Sequence, residues 1–338
     1  MNVTRLMLAI APAVAPALLS PQRSPTDSTH WTPGSAALGA DVIGDVTDAA
    51  SDSRGRVYVA DRSRGITFVL DRGLRVIGSV GKPGGGPGEH RELLAVRPLG
   101  SGSFATIDRV LRRIYIYRWS SDRAYLAHTV RLPFEPYDFC PTADGRFTVL
   151  GYYRGMRLHE VDSLGSVRSS AAAYDRVLSP MLIDFIITGR IACLRKGVFV
   201  LTSEALPTFE VYSGGRVSAL ARVRSDSIWP VRRISITQGT NRTTGRKSMT
   251  FSAPPDGYHS PDRAVETGTG FLIPAVIRGR GDRKADDTVG LFAFSSAGAG
   301  VKTRSVIRGR VFPLADGAYL SVTRVPTLEI RVIPSVTP

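Results

Sequence analysis

Three features of the sequence predict an all-β fold built from repeated units. The 34 Gly and 22 Pro of this 338-residue chain are dispersed between runs of Val, Ile, Leu, Phe and Tyr that suit short strands. No long helical periodicity follows the N-terminus. A strand-turn-strand pattern recurs roughly every 45 residues, which is the period of propeller blades. The sequence therefore predicts a six-bladed β-propeller.

The first repeat unit shows the pattern most completely. Alternating runs from Val57 to Ala60 and from Ile66 to Leu70 flank a polar turn, and a third run extends to Val80. Together they predict a β-meander. The following segment, 81–89, is too rich in Gly and Pro for a helix or a central strand, so we expect the chain to begin a new sheet there.

The end of the second strand sets the register of the repeats. Asp61 and Asp108 lie 47 residues apart, and each follows a short apolar run and precedes an arginine. Further strand ends follow at steps of 43, 51, 76 and 45 residues, which gives six units. The long step is explained by an inserted loop at 237–263, a segment rich in Gly, Ser, Thr and Pro.

The two ends of the chain are predicted to meet in one sheet. The last unit supplies only three strands, at 311–314, 318–323 and 328–333, which leaves an open edge. We expect a strand between about Trp31 and Ile43 to complete this sheet and close the ring. The predicted organisation is a signal peptide at 1–20, a flexible lead-in at 21–33 and one propeller domain at 34–338.

The N-terminus has the features of a secretory signal peptide. Arg5 precedes an apolar segment from Leu6 to Leu19, and small residues lie near its end. The alternative is a short membrane anchor, but the segment is shorter than the roughly 20 apolar residues that span a bilayer. We therefore expect an exported protein, periplasmic or extracellular, with no transmembrane span in the mature chain.

Cys140 and Cys193 are the two cysteines of the chain. An exported location would permit a disulfide between them. Each lies in or beside an apolar strand, so two buried free thiols are the alternative.

The first unit resembles a known repeat family. Residues 52–61 (DSRGRVYVAD), 68–71 (FVLD) and 85–89 (GGPGE) are similar to the DxxGxIYVAD strand pair, the VFD-like strand end and the GxGPGEF connector of bacterial six-bladed β-propellers related to NHL repeats. Where that pattern has Phe after Gly-Pro-Gly-Glu, this chain has His90. The match is specific in the first unit, recognisable in the second and architectural in the rest. The resemblance implies a six-bladed ring of antiparallel sheets.

The composition is strongly basic. The formal net charge is +15, and only five of the 44 basic residues are lysine. Either a GC-rich genome that favours arginine codons or an anionic partner would explain this excess of arginine.

The basic residues are predicted to concentrate on one face. In a four-stranded antiparallel blade, the loop between the second and third strands and the loop to the next blade open on the same side. The candidate ligand-binding residues in these loops are Arg62, Arg64, Lys82, Arg109, Arg154 and Arg324. They would hold an anion through charge-assisted hydrogen bonds. The alternative is a solvated rim in which Asp–Arg pairs stabilise turns.

Asp61 and Asp108 recur at equivalent positions, so they are candidate metal ligands or general bases at the ring axis. The favoured alternative is that each caps the turn after its strand by accepting backbone N–H bonds. The five histidines lack HxxxH or HxH spacing, so a zinc site has no support in the local sequence. The Gly-rich connector lacks the GxxxxGK[ST] order of a phosphate-binding loop.

These features predict an exported, non-enzymatic binding scaffold that presents a basic propeller face to a protein or to an anionic component of the cell envelope. No cofactor is expected, a nucleic-acid partner is not favoured, and the protein is predicted to be a monomer. The alternative is a metal-dependent propeller enzyme, a lyase or lactonase-like hydrolase, with Ca or Zn in its channel.

Overall fold

The computed structural model consists of antiparallel β-sheets that all lie in the unit Trp31–Pro338. It describes residues 35–36, 43–100, 102–120, 123–173, 189–194, 198–203, 208–213, 218–224, 235–240, 247–252, 259–261, 263–266, 270–277, 288–295, 300–301, 306–314, 318–323 and 329–333. No helix among these residues has both the length and the apolar character that crossing a bilayer requires.

Consecutive strands form the sheets of the first half of the chain, after a short strand β1 (Ser35–Ala36). Sheet 1 contains β2 (Val46–Ser51), β3 (Val57–Asp61), β4 (Ile66–Leu70) and β5 (Val76–Val80). Sheet 2 contains β6 (Leu93–Gly100), β7 (Ser103–Asp108), β8 (Arg113–Ser120) and β9 (Arg123–Arg131). Sheet 3 contains β10 (Pro136–Pro141), β11 (Phe147–Tyr153), β12 (Met156–Val161) and β13 (Val167–Ala173).

The second half continues the same order. Sheet 4 contains β14 (Gly189–Leu194), β15 (Val198–Ser203), β16 (Thr208–Ser213) and β17 (Ser218–Arg224), and a hairpin follows, β18 (Ser235–Thr240) with β19 (Lys247–Ser252). Sheet 5 contains β20 (His259–Pro261), β21 (Val265–Glu266), β22 (Gly270–Ile277), β23 (Thr288–Ser295), β24 (Gly300–Val301) and β25 (Val306–Arg308). Sheet 6 contains β26 (Arg310–Pro313), β27 (Tyr319–Thr323) and β28 (Glu329–Ile333), with β1 paired to β28.

An apolar cluster lies between each pair of successive sheets. Between sheets 1 and 2, for example, the rings of Tyr58 and Phe104 lie 4.6 Å apart. The cluster that contains Leu70 of sheet 1 also contains Leu320 of sheet 6, so the first and last sheets pack together. Antiparallel sheets that pack in chain order, with the last against the first, form a β-propeller.

The predicted meander of the first unit is confirmed by the pairing of β3 with β4 and of β4 with β5. The apolar run predicts a third strand from Leu74 to Val80, and the observed strand begins two residues later, at Val76. Leu74 has a left-handed backbone (φ 61°), and its N–H donates to the carbonyl oxygen of Asp71 at 2.9 Å, so it belongs to the turn. Its apolar side chain is nevertheless buried, which explains the sequence signal.

The Gly-rich connector after sheet 1 is held against the turn of that sheet. A Cβ atom at Gly81 would lie 2.6 Å from the carbonyl oxygen of Gly65, so only glycine permits this approach. His90 occupies the position of Phe in the resembled family. It is buried, and its ring meets that of Tyr115 edge-on at 4.9 Å. The imidazole therefore fills an aromatic packing position.

The chain termini and the predicted insertion can be compared with the sequence expectations. Ser35 of β1 lies opposite Arg331 of β28 in an antiparallel pair, within the range proposed for a closing strand. The segment 237–263, predicted to be an inserted loop, contains most of the β18–β19 hairpin and all of β20. Part of it is strand because threonine, one of its commonest residues, favours strands as well as turns.

A disulfide joins the first strands of sheets 3 and 4. Cys140 of β10 and Cys193 of β14 are bonded through their Sγ atoms, with their Cα atoms 5.9 Å apart. Of the two alternatives that the sequence leaves open, the structure has the bonded form.

Candidate functional site

The first strands of sheets 1 to 4 lie at the edges of their sheets, and those edges face the ring axis. Backbone groups on such an edge need partners from outside the sheet. Two aspartates supply acceptors. Asp48 of β2 accepts a hydrogen bond from the N–H of Val96 in β6, and Asp138 of β10 accepts one from the N–H of Ile191 in β14, each at 3.0 Å. Each carboxylate thus connects two sheets.

Arg97 of β6 bridges these two carboxylates through its guanidinium group, and all three residues are buried. Arg263, which precedes β21, lies 3.4 Å from Asp48. Burial raises the pKa of Asp48, but the positive charges of Arg263 and Arg97 outweigh burial and hold this pKa below its usual range. At Asp138 burial outweighs the nearby arginines and raises the pKa. Asp48 is therefore the carboxylate of this network whose charged form is favoured.

Three arginines from later sheets form what we call the arginine stack along β2. They donate to its backbone carbonyl oxygens as follows: Arg310 to Val46 at 2.6 Å, Arg190 to Thr47 at 2.9 Å, and Arg263 to Ala49 at 2.8 Å. Guanidinium suits this task because it carries five N–H donors in a rigid fork. The donors reach sheet 1 from sheets 4, 5 and 6, so their side chains extend toward the ring axis.

A pocket of about 280 Å³, here called the axial pocket, opens at one end of the arginine stack. Its lining residues come from the starts of the first strands and from the loops beside them: Thr47, Arg62, Glu92, Leu94, Arg109, Tyr137, Gly189, Arg190 and Arg310. Four arginines and a single carboxylate therefore surround it.

Two of these arginines are held by equivalent ion pairs in successive repeats. Arg62 lies 2.6 Å from Asp45, and Arg109 lies 2.8 Å from Glu92. In each pair the arginine follows its partner by 17 residues. The guanidinium of Arg109 also lies 5.7 Å from the ring centroid of Tyr137. These contacts hold two half-exposed guanidinium groups at the entrance of the axial pocket.

The structure brings two of the six predicted ligand-binding residues, Arg62 and Arg109, to the axial pocket. Three others have different surroundings: Arg64 lies 3.8 Å from Asp61, Lys82 lies 3.1 Å from Glu89, and Arg154 lies 5.0 Å from the ring centroid of Tyr153. Arg324 lies outside the described residues.

Asp61 ties the turn after β3 to the segment before β2. Its carboxylate accepts hydrogen bonds from the N–H groups of Gly44 (2.6 Å), Asp45 (3.0 Å) and Arg64 (3.3 Å), and from the hydroxyl of Ser63 (2.6 Å). Burial raises the pKa of Asp61, but these hydrogen bonds outweigh burial and leave its pKa lowered. This geometry favours the turn-capping role.

Asp108 makes the equivalent contacts in sheet 2. It accepts hydrogen bonds from the N–H groups of Arg91 (2.7 Å), Glu92 (2.8 Å) and Leu111 (2.7 Å), and His90 Nδ1 lies 3.7 Å away. Burial raises the pKa of Asp108, but His90 and the backbone donors outweigh burial and lower it. Within the described ranges, no three His, Cys, Asp or Glu side chains are grouped as a metal site would require.

On the opposite face, arginines are paired inside their own turns. Four aspartates each accept a hydrogen bond from an arginine Nε: Asp52 from Arg56 (2.7 Å), Asp71 from Arg75 (2.8 Å), Asp144 from Arg146 (2.7 Å) and Asp162 from Arg168 (2.7 Å). The same carboxylates accept backbone N–H bonds from the turns. Carboxylates also pair with Arg62, Arg64 and Arg109 on the predicted binding face, as the solvated-rim alternative for that face expects. The two faces differ in that, of these paired arginines, only Arg62 and Arg109 line the axial pocket.

The charged residues at the ring axis were not among the predicted site residues, because the sequence predicts a site in the turns. Asp48, Arg97, Asp138 and Arg190 lie inside first strands. In the sequence, each is a single charged residue within a mostly apolar run at the start of its repeat. Burying such a charge costs free energy unless it has partners. A charged residue in this position therefore indicates that several charged side chains meet at the axis.

No protein-family model and no curated protein matches this chain. Several solved structures are similar to it in fold. A streptogramin B lyase is 11% identical, with 90% of this chain and 97% of that chain covered at a TM-score of 0.52. Virginiamycin B lyase from Staphylococcus aureus is 9% identical, with 89% and 99% covered at 0.53. A member of the DUF4221 family from Bacteroides vulgatus is 8% identical, with 90% and 96% covered at 0.55. These likenesses establish the β-propeller fold.

Proposed function

We propose that this protein is an exported, non-enzymatic binding scaffold that holds an anionic ligand, from the cell envelope or from an acidic protein segment, at its axial pocket. The observation that carries the proposal is the convergence of four arginines and one carboxylate around a single concavity. Protein walls around a pocket focus the field of such charges and attract anions. Arginine also matches carboxylate and phosphate oxygens through paired N–H bonds.

A heparin column tests this proposal with matched arginine variants. Arg62→Gln with Arg109→Gln removes two guanidinium groups at the pocket entrance, and Arg75→Gln with Arg168→Gln removes two from the opposite face. All four arginines are partly or mostly exposed and paired with a carboxylate. We expect at least roughly tenfold weaker binding for the entrance variant, because charge-assisted hydrogen bonds are lost. Equal weakening of both variants would mean that only net charge matters.

We also propose that the ring has six blades and is closed by the N-terminal segment. The six sheets with apolar clusters between them support this count, and the β1–β28 pair supports the closure. Deleting residues 24–43 is then expected to lower the melting temperature by roughly 4 °C or more, because sheet 6 loses its edge strand. Deleting only 24–33 spares β1 and serves as the control. Identical melting temperatures for the two deletions would contradict closure.

Export and a relation to NHL-repeat propellers are part of the same proposal. The Cys140–Cys193 disulfide supports an oxidising compartment such as the periplasm or the extracellular space. The 85–89 connector supports the relation to NHL repeats. Sequencing the mature N-terminus would test signal cleavage near residue 20, and light scattering would test the expected monomer. A mature protein that begins at Met1 would contradict export by cleavage.

The alternative function is that of a metal-dependent propeller enzyme, and the two lyases of similar fold are its only support. Fold likeness does not transfer an activity. Elemental analysis of the purified full chain separates the two functions. A stoichiometric Ca or Zn ion that survives dialysis would favour the enzyme.

A further inference from the structure

Arg190 is part of the lining of the axial pocket and of the arginine stack. It donates to the carbonyl oxygen of Thr47 at 2.9 Å and to that of Leu94 at 3.4 Å, and so connects sheet 4 with sheets 1 and 2. These residues also line the pocket. One wall of the pocket is therefore a guanidinium group held by the backbone of two other sheets.

A network of buried charges adjoins the pocket. Arg97 contacts both Asp48 and Asp138, and Arg263 contacts Asp48 and the carbonyl oxygen of Ala49. All four charged residues are buried. Among the described residues, paired side chains rather than open space therefore lie next to the arginine stack.

The size of the pocket limits what can fill it. A volume of about 280 Å³ lies just below the roughly 300–1,000 Å³ of pockets that take drug-sized ligands. The lining offers few apolar surfaces and four guanidinium groups. Small size and this chemistry fit a compact oxyanion better than a sugar chain or a peptide.

Two of the four guanidinium groups are oriented by the backbone. Arg190 and Arg310 donate to carbonyl oxygens of β2 at 2.9 Å and 2.6 Å. A fixed donor loses little conformational entropy when it binds an anion. Arg62 and Arg109 are paired instead with the carboxylates of Asp45 and Glu92, for which an anionic ligand would compete.

We propose that the axial pocket selects a compact carboxylate or phosphate, free or as the end group of a larger molecule, and that Arg190 and Arg310 determine this selectivity. The proposal rests on the proposed function and specifies its ligand class. A polyanion that lies across the basic face would use the entrance arginines instead.

Isothermal titration of the full chain with citrate and with inorganic phosphate, at low ionic strength, tests the proposal. We expect one site per chain for at least one of these probes. Arg310→Gln should weaken that binding roughly tenfold or more, whereas Arg75→Gln on the opposite face should not. Arg310 is preferred to Arg190 because it is less buried, and circular dichroism checks that the variant is folded.

Measuring heparin binding as well distinguishes a failure of this inference from a failure of the proposed function. Binding of citrate or phosphate that short heparin oligosaccharides compete with would show that both use the axial pocket and support the inference. Heparin binding without citrate or phosphate binding would overturn it and leave the proposed function intact. No binding of any probe would overturn both. The wild-type titration tests the ligand class without any variant, and the Arg310→Gln titration tests the role of Arg310; unchanged binding by that folded variant would overturn this role.

Discussion

Asp138→Ala is expected to lower the free energy of unfolding by about 3–5 kcal/mol, the usual cost of removing one partner from a buried ion pair. Asp138 is fully buried and pairs with Arg97. It also accepts backbone N–H bonds from Phe139 at 2.8 Å and from Ile191 at 3.0 Å. Alanine would remove one hydrogen-bond acceptor from the buried guanidinium group of Arg97. It would also remove the side-chain acceptor of the Phe139 and Ile191 N–H groups. Urea denaturation followed by circular dichroism measures the loss.

Two further variants separate pairing from a general effect of losing an aspartate. Asp144→Ala, on an exposed turn of the same sheet, should change stability far less because its ion pair with Arg146 is solvated. Combining Asp138→Ala with Arg97→Met should recover part of the loss, because the buried guanidinium group is then absent. Equal destabilisation by Asp138→Ala and Asp144→Ala would contradict a structural role for the axial network.

The second large effect concerns the disulfide. Replacing Cys140 and Cys193 together by serine is expected to cost roughly 4 kcal/mol on the chain-entropy account of disulfides. The bond closes a 53-residue separation and joins the first strands of two sheets, so its loss frees a long loop in the unfolded chain. Melting curves with and without a reductant measure the effect.

The serine variant provides the control for reduction. Reductant should lower the melting temperature of the wild type and leave that of the variant unchanged. An unchanged wild-type curve in reductant, with two titratable thiols, would mean that the bond contributes nothing. Two reactive thiols in the untreated protein would mean that it does not form.

Local signals predicted most of the fold. Short runs such as Val57 to Ala60 are rich in valine and bounded by turn residues such as Gly65, and the structure has strands there. The role of Asp61 was also accessible, because an aspartate directly after a strand commonly caps the turn that follows. These features depend on contacts between residues that lie close together in the sequence, so local patterns are enough to predict them.

The axial charges could not be assembled from the sequence in the same way. Arg97 contacts Asp48 across 49 residues and Asp138 across 41. The packing of successive sheets brings these side chains together, and no local pattern specifies which first-strand charge faces which. Arg62 and Arg109 could be singled out from the sequence because they lie in turns at a fixed repeat spacing. Arg190 and Arg310, which line the same pocket, follow no such spacing.

The arginine stack also links the order of synthesis to the completion of the ring. Strand β2 is made early, yet the donors to its carbonyl oxygens lie 143, 214 and 264 residues later in the chain. Contacts of such long sequence separation form slowly, because a large loop must close before they form. In an open array of repeats, folding starts anywhere and spreads between neighbours. Here the last sheet packs against the first and donates to its carbonyl oxygens, so sheet 1 gains its full set of contacts only when the end of the chain is present.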